Sequence, residues 1–396
     1  MYLLVCMNAK YSLICATVLG LLLAGLLAAA GCVGDTQQGA DATPAPSARQ
    51  SERTLTDGFG RSVTVPVPVE SVLCSGSGCI RYLVYLQAED LIVGVDSIEK
   101  QMREIEGRPY ALVHREWLGD LPLFGEFRGK DDPEKVIGIG PDLVFKTGST
   151  GTAYGTSGAE ADTLQDRTGI PVVAFPYGSL RNEAEKAEMY SGLRVMGEAI
   201  GREDRAEEVI AYIEAIMADL EQRTADIPAS EQKRVYVGGV SSAGAHGIIS
   251  TEPAYPPFLW VHADNVASGL GTAHVDVAKE AIVDWDPEYI FIDAGTTSME
   301  NEGAIGQLRT DTALRGLAAV KNGNVYGVLP YNFYNTNYET VLADAYFIGT
   351  VLYPDRFEDI DPEEKADEIY AFFVGEPVFD ELNGQYGNLG FSRIEV

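Results

Sequence analysis

The sequence is short of positive charge. Of its 396 residues 29 are Lys or Arg, against 59 Asp and Glu, and the formal net charge is -30. Lysine is the scarcer base; most of the 29 are arginine. A phosphate backbone needs a basic face, so the balance argues against nucleic acid as a partner. An acidic, lysine-poor surface fits solubility in a salty medium and marks no site by itself. Histidine is scarce as well. His114, His246, His262 and His274 are the only ones, and no pair has the helical spacing of a zinc site. No Gly-x-Ser-x-Gly elbow, phosphate-binding loop or dinucleotide fingerprint is present. Past residue 32 no run is long and apolar enough to span a bilayer.

What is present begins with an apolar leader. Between Tyr11 and Gly31 there is no charged side chain, and Leu and Ala dominate. Such a run is a signal h-region or a membrane span. It ends Leu27-Ala28-Ala29-Ala30-Gly31-Cys32. Small residues directly before a cysteine resemble the lipobox of bacterial and archaeal lipoproteins. By that resemblance residues 1–31 are a signal peptide and Cys32 carries lipid; an uncleaved anchor is the other reading. Both place the rest of the chain outside the cytoplasmic membrane. Residues 32–50 hold Gly, Asp, Thr, Gln, Ala, Pro and Ser, with almost nothing to bury, and read as a disordered tether.

The body is organised around the segment from Asn182 to Ile227. Met189, Leu193, Met196 and Ile200 recur at helical spacing, and so do Val209, Ile210, Ile213, Met217 and Leu220. Asn182 with Glu185 reads as a capping box, and Gly201 as a left-handed stop. The second helix, from Glu203 to about Ala225, would be about 35 Å long. On either side, strands alternate with helices. Ser71 to Cys74, Leu91 to Val95, Asp142 to Lys146 and Pro171 to Phe175 read as strands before it. Arg234 to Val240, Tyr289 to Asp293 and Asn324 to Leu329 read as strands after it. The pattern predicts an α/β protein with mostly parallel sheets. Glu134 and Glu280 each stand seven residues before a Pro-acid pair and a strand, Pro141-Asp142 and Pro287-Glu288, at an offset of 146 residues. Two related halves follow: an N-terminal lobe over 51–181 and a C-terminal lobe over 228–396, linked by 182–227.

At this point the chain resembles the solute-binding proteins of ABC importers for iron chelates, haem and cobalamin. The resemblance runs over roughly Thr54 to Gly375. It rests on Thr56-Asp57-Gly58-Phe59-Gly60-Arg61, Glu70-Ser71-Val72-Leu73, Leu91-Ile92-Val93-Gly94-Val95-Asp96, Pro141-Asp142-Leu143-Val144 and Gly201-Arg202-Glu203-Asp204-Arg205-Ala206, in that order. It implies two Rossmann-like lobes joined by one long α-helix, no catalysis and no cofactor of its own. The ligand would be a small metal chelate, an iron chelate first and a corrinoid or haem second. The partners would be a permease dimer with its ATPase, and the membrane through the N-terminal lipid. In that family one surface glutamate on each lobe meets arginines of the permease, which gives Glu134 and Glu280 a docking role.

Ligands of open α/β sheets lie beyond the carboxyl ends of the strands. The loops there hold Ser75, Ser77, Tyr154 and Tyr177 in the first half, and His246, Tyr255, Tyr331, Asn332, Tyr334 and Asn335 in the second. Phenols and amides can stack on and hydrogen-bond a chelate without bringing charge. Cys74 and Cys79 flank a Gly/Ser loop short enough for a disulfide, with two free buried thiols or a soft-metal site made by the thiols alone as the other readings. A pair in this loop departs from the family pattern. Two other classes stay open: a chelatase-like enzyme, against which the lipobox argues, and a tethered protein with an interaction role alone. Cys32→Ala is expected to abolish N-terminal processing and release the protein from the membrane fraction; unchanged attachment and processing would refute lipidation.

Overall fold

The computed structural model describes residues 51–101, 104–148 and 156–396; the leader, the tether, Cys32 and Tyr154 lie outside them. Two sheets carry the two halves. The first has six strands in the order Lys130–Asp131, Leu123–Glu126, Ile92–Asp96, Val72–Ser75, Leu143–Gly148, Val172–Pro176. All neighbours run parallel except Lys130–Asp131. The second is fully parallel, in the order Asp264–Asn265, Arg234–Gly238, Tyr289–Asp293, Val325–Val328. Val72 to Ser75 and Leu143 to Gly148 are buried throughout, as strands covered on both faces must be.

The halves share one plan. In each, the first strand of the sheet has the second on one side and the last two on the other: Val72–Ser75 lies between Ile92–Asp96 and Leu143–Gly148 with Val172–Pro176 beyond, and Arg234–Gly238 lies between Asp264–Asn265 and Tyr289–Asp293 with Val325–Val328 beyond. The helices Pro133–Ile139 and Lys279–Trp285 feed equivalent strands, Leu143–Gly148 and Tyr289–Asp293. Asp132 caps the first of these helices by accepting from the Glu134 and Lys135 amides, and Gly140 closes it at φ 68°.

The connection between the sheets is a helical hairpin, Glu183–Ile200 and Glu203–Thr224. Asn182 accepts the Glu185 amide at 3.0 Å, and Gly201 turns the chain at φ 71°. Arg194 pairs with Glu207 at 2.6 Å, and Gly197 lies against Ala206, so the two helices run antiparallel. The 22-residue second helix is the long one expected from the sequence. The first packs on the strand Val172–Pro176, the second on the helices Pro256–Trp260 and Tyr338–Leu352.

The core is continuous across the halves. Tyr82, Tyr85 and Tyr177 from the first belong to the same buried cluster as Tyr338 and Phe373 from the second. Tyr177 stacks on Tyr338 at 5.4 Å, and Tyr85 meets Phe373 edge-on at 4.7 Å. Arg205 joins them again: its guanidinium donates to the Tyr85 carbonyl at 2.9 Å and the Phe372 carbonyl at 2.6 Å.

Candidate functional site

Loops that follow the parallel strands converge on one cleft of about 760 Å³. Ser77 follows Val72–Ser75, Ile98 follows Ile92–Asp96, and Phe127 with Arg128 follows Leu123–Glu126. From the other half, the wall is built by Ser241 to Ala245 after Arg234–Gly238, by Gly295 and Ser298 after Tyr289–Asp293, and by Pro330 and Asn332 to Asn335 after Val325–Val328. Glu104, Ile105 and Tyr386 complete it. The place agrees with the rule that ligands of such sheets sit where the strand order reverses. The volume is that of a site for a small organic molecule.

The walls differ in chemistry. Ile98, Ile105 and Phe127 make the first-half wall largely apolar, with Arg128 and Glu104 as its charges. The second-half wall combines hydroxyls, amides and the small run Ala243-Gly244-Ala245 with the rings of Pro330, Phe333, Tyr334 and Tyr386. Nine non-glycine residues among those described have positive φ, and four of them line the cleft: Arg128 at 67°, Ala243 at 57°, Tyr334 at 52° and Asn335 at 73°. Backbone held in such conformations gathers where a site must be pre-shaped.

Of the residues expected from the sequence, Ser77, Asn332, Tyr334 and Asn335 line this cleft. Asn332 donates to the Ser241 carbonyl at 2.8 Å, and Asn335 to the Ser77 carbonyl at 3.3 Å. Five others stand elsewhere. Ser75 is buried and gives its hydroxyl to Asp131 at 2.5 Å. Tyr177 is buried, bonded to Arg81, and donates to the Thr336 carbonyl at 2.8 Å. Tyr331 donates to Glu252 at 2.5 Å, and Tyr255 reaches Asp344 at 3.4 Å. In each the polar tip has a buried partner, which offsets the cost of desolvating it. His246 turns its Nε2 to the Ser242 carbonyl at 2.8 Å, within its own loop. Cys74 and Cys79 are bonded to each other, Cα to Cα 5.4 Å, beside the loop that carries Ser77. In that loop Gly76 is obligatory: at φ 101°, a Cβ would meet the Thr147 carbonyl at 1.8 Å.

Sequence reading missed Ile98, Glu104, Ile105, Phe127, Arg128 and Tyr386. They are ordinary residue types in segments without periodicity, brought together by the two sheets. Ile98 follows a strand that was read from the sequence, Leu91 to Val95, whereas the short strand Leu123–Glu126 that places Phe127 and Arg128 was not read from it.

Two carboxylates stand directly behind the wall. Asp293 is fully buried and accepts the Ser241 amide at 3.1 Å and the Gly295 amide at 2.8 Å. Burial pushes its carboxyl up to about 6, against the pull of those amides. Asp96 accepts the Tyr334 hydroxyl at 2.5 Å and the Ile98 amide at 3.0 Å. Burial pushes it up to about 7, opposed by the Tyr334 hydrogen bond and reinforced by Glu99.

The family model described as "Periplasmic binding protein" matches residues 72–331, more than half of the chain. The chain belongs to the periplasmic binding protein family. It is a substrate-binding protein of the kind that serves ABC importers, and an extracytoplasmic one. Among its relatives, the molybdate-binding protein MolA of Haemophilus influenzae is 22% identical over 342 residues, covering 82% of this chain and 91% of that one. An uncharacterized ABC transporter substrate-binding lipoprotein of Bacillus subtilis, YvrC, is 25% identical over 77% of this chain and 87% of its own. The iron(3+)-hydroxamate-binding protein FhuD of Bacillus subtilis is 26% identical over 52% of this chain and 60% of its own. The solved structure of MolA with molybdate superposes with a TM-score of 0.64 at 20% identity, covering 82% of this chain and 98% of that one. That likeness establishes the two-lobed α/β fold with parallel sheets.

A raised carboxyl has a definite sign in stability. Asp96 keeps its proton in the folded chain up to about pH 7, while an unfolded Asp releases it near pH ~3.9. Its contribution is complete below the unfolded value and is lost as pH rises through the folded one. The stability of the wild type relative to Asp96→Asn should therefore fall by roughly 1 kcal/mol or more between about pH 4 and pH 7. Denaturant melts of both proteins across that range check it, and a difference that is flat or grows with pH contradicts the assignment.

Proposed function

We propose that this protein is the lipid-anchored receptor that delivers an iron chelate to an ABC importer. The observation that carries the reading is the cleft of about 760 Å³ between the two sheets, with one wall that mixes hydroxyls and amides with aromatic rings and one largely apolar. A chelate of small-molecule size fills such a space. Among the described residues no three His, Cys, Asp or Glu side chains converge, so a bare cation finds no ligand set there. The iron-hydroxamate relative supports the chelate. The molybdate relative favours a second reading, an oxyanion, but a tetrahedral oxyanion leaves most of this volume empty. The lipobox-like end of the leader and the lipoprotein relative support the anchor at Cys32.

Glu134 and Glu280 support a permease as partner. Both are exposed in the first turn of seven-residue helices that feed equivalent strands. The same residue at the same place in both lobes suits a two-fold membrane partner. Exposed charges of this kind steer and orient, and their effect weakens with salt.

Mass spectrometry of ligand retained on the purified protein should find a metal chelate, and Asn332→Ala should weaken its binding by about 1–3 kcal/mol. Retention of an oxyanion alone would overturn the chelate reading. The double variant Glu134→Ala with Glu280→Ala should bind ligand normally and slow uptake more than either single change does; normal uptake at low ionic strength would remove the docking role.

A further inference from the structure

An anion in a protein cleft is held by cations and by backbone N–H groups aimed at it. Here six backbone N–H groups of the wall are already used. Ser241 and Gly295 donate to Asp293, at 3.1 and 2.8 Å. Ile98 donates to Asp96 at 3.0 Å. Phe127 donates to the Ser97 hydroxyl at 3.0 Å, and Arg128 to the Tyr334 hydroxyl at 3.1 Å. Ser242 donates to the Gly244 carbonyl at 3.0 Å. Three of these six donors end on carboxylates that stand immediately behind the wall. Once ionised, above about pH 6 for Asp293 and about pH 7 for Asp96, those carboxylates add repulsion for an anion in a cleft where water screens them poorly.

The side chains give the same answer. The lining holds one cation, Arg128, against one anion, Glu104. Around it the chain as a whole carries a net charge of -30. Asn332 spends one of its two N–H donors on Ser241, which leaves its amide oxygen and one N–H for a ligand.

We infer that the cleft selects ligands without net negative charge, so that among metal chelates it takes uncharged ones and turns away tris-catecholate complexes and oxyanions. This rests on the chelate-receptor reading above and narrows it. The fold shared with a molybdate-bound protein does not carry over the anion, because three amide donors of this wall, those of Ile98, Ser241 and Gly295, are committed to Asp96 and Asp293.

The test is a titration of the full chain against four probes: an uncharged ferric trihydroxamate, cobalamin, a trianionic ferric tris-catecholate, and molybdate. The expected result is binding of at least one uncharged probe at a Kd at least tenfold below that of either anion. Equal or tighter binding of tris-catecholate or molybdate overturns the inference; the tris-catecholate result leaves the chelate-receptor reading standing, and molybdate alone overturns both. Binding of none of the four overturns both as well. Glu104→Gln, an exposed change at the rim, is expected to narrow the preference at low ionic strength. A preference that widens in that variant would show that negative charge at the wall is not its source.

Discussion

One buried guanidinium holds the two halves in register. Arg81 lies on the helix Cys79–Tyr85 and is fully buried. It reaches out of the first half into the loop before the helix Tyr338–Leu352, donating to the Asn337 side chain at 2.5 Å and the Phe333 carbonyl at 3.2 Å, and it bonds Tyr177 on its own side. Tyr85, from the same helix, bonds the buried Glu339 carboxyl, whose charge the nearby Arg81 favours while burial opposes it. An arginine cannot discharge itself by losing a proton. Its burial is tolerable only with that loop in place, and removing one partner of such a set costs about 3–5 kcal/mol. The loop that faces the cleft is therefore fixed by a charge behind it.

That dependence explains the tyrosine-rich loop. In the run Tyr331 to Tyr338, the aromatic side chains that looked most suited to a ligand are largely occupied in holding the halves together. Tyr331 is tied to Glu252, Tyr338 donates to the Tyr177 carbonyl at 2.9 Å, and Tyr334 crosses to Asp96. What the loop offers the cleft is the face of Tyr334, Phe333 and the amides Asn332 and Asn335. A tyrosine has an apolar body and a polar tip, and the two need not serve the same surface. From sequence alone the count of phenols overstated the ligand-binding chemistry, because the destination of each hydroxyl is set by residues 80 to 240 positions away in the chain.

Elements with a clear period or cap were legible. The hairpin at 183–224, its Asn182 cap and Gly201 stop, seven of the ten strands of the two sheets and the 146-residue offset between halves were visible in spacing; the short strands Leu123–Glu126, Lys130–Asp131 and Asp264–Asn265 were not. The helix Tyr338–Leu352 was not. Thirteen of its fifteen residues are buried, Glu339, Thr340 and Asp344 among them, so it shows no apolar stripe against a polar one. The helix Pro109–Asp120 follows an irregular stretch and begins on Arg108, a buried residue whose partners Glu99 and Glu106 are local acids with no periodic signature. The cleft was legible as a location, since it follows from strand order, while half of its wall was not.

The same interface sets how the halves can move. Rotating one away from the other would uncover Arg81, Glu339 and the stacked pair Tyr177 and Tyr338, and would break both carbonyl contacts of Arg205. Exposed charges would regain water, but the apolar area around them would lose its cover, at about 25 cal/mol per Å². The hairpin adds a second restraint, because its first helix packs on the first-half strand Val172–Pro176 and its second on the second-half helices Pro256–Trp260 and Tyr338–Leu352, and the two are joined by two residues, Gly201 and Arg202. Opening by a large hinge therefore works against a continuous core. The loops of the wall, by contrast, belong to no sheet and carry their strain locally, at Arg128, Ala243, Tyr334 and Asn335. Their rearrangement leaves Arg81 buried and paired, so admission of a ligand through the loops costs less than separation of the lobes.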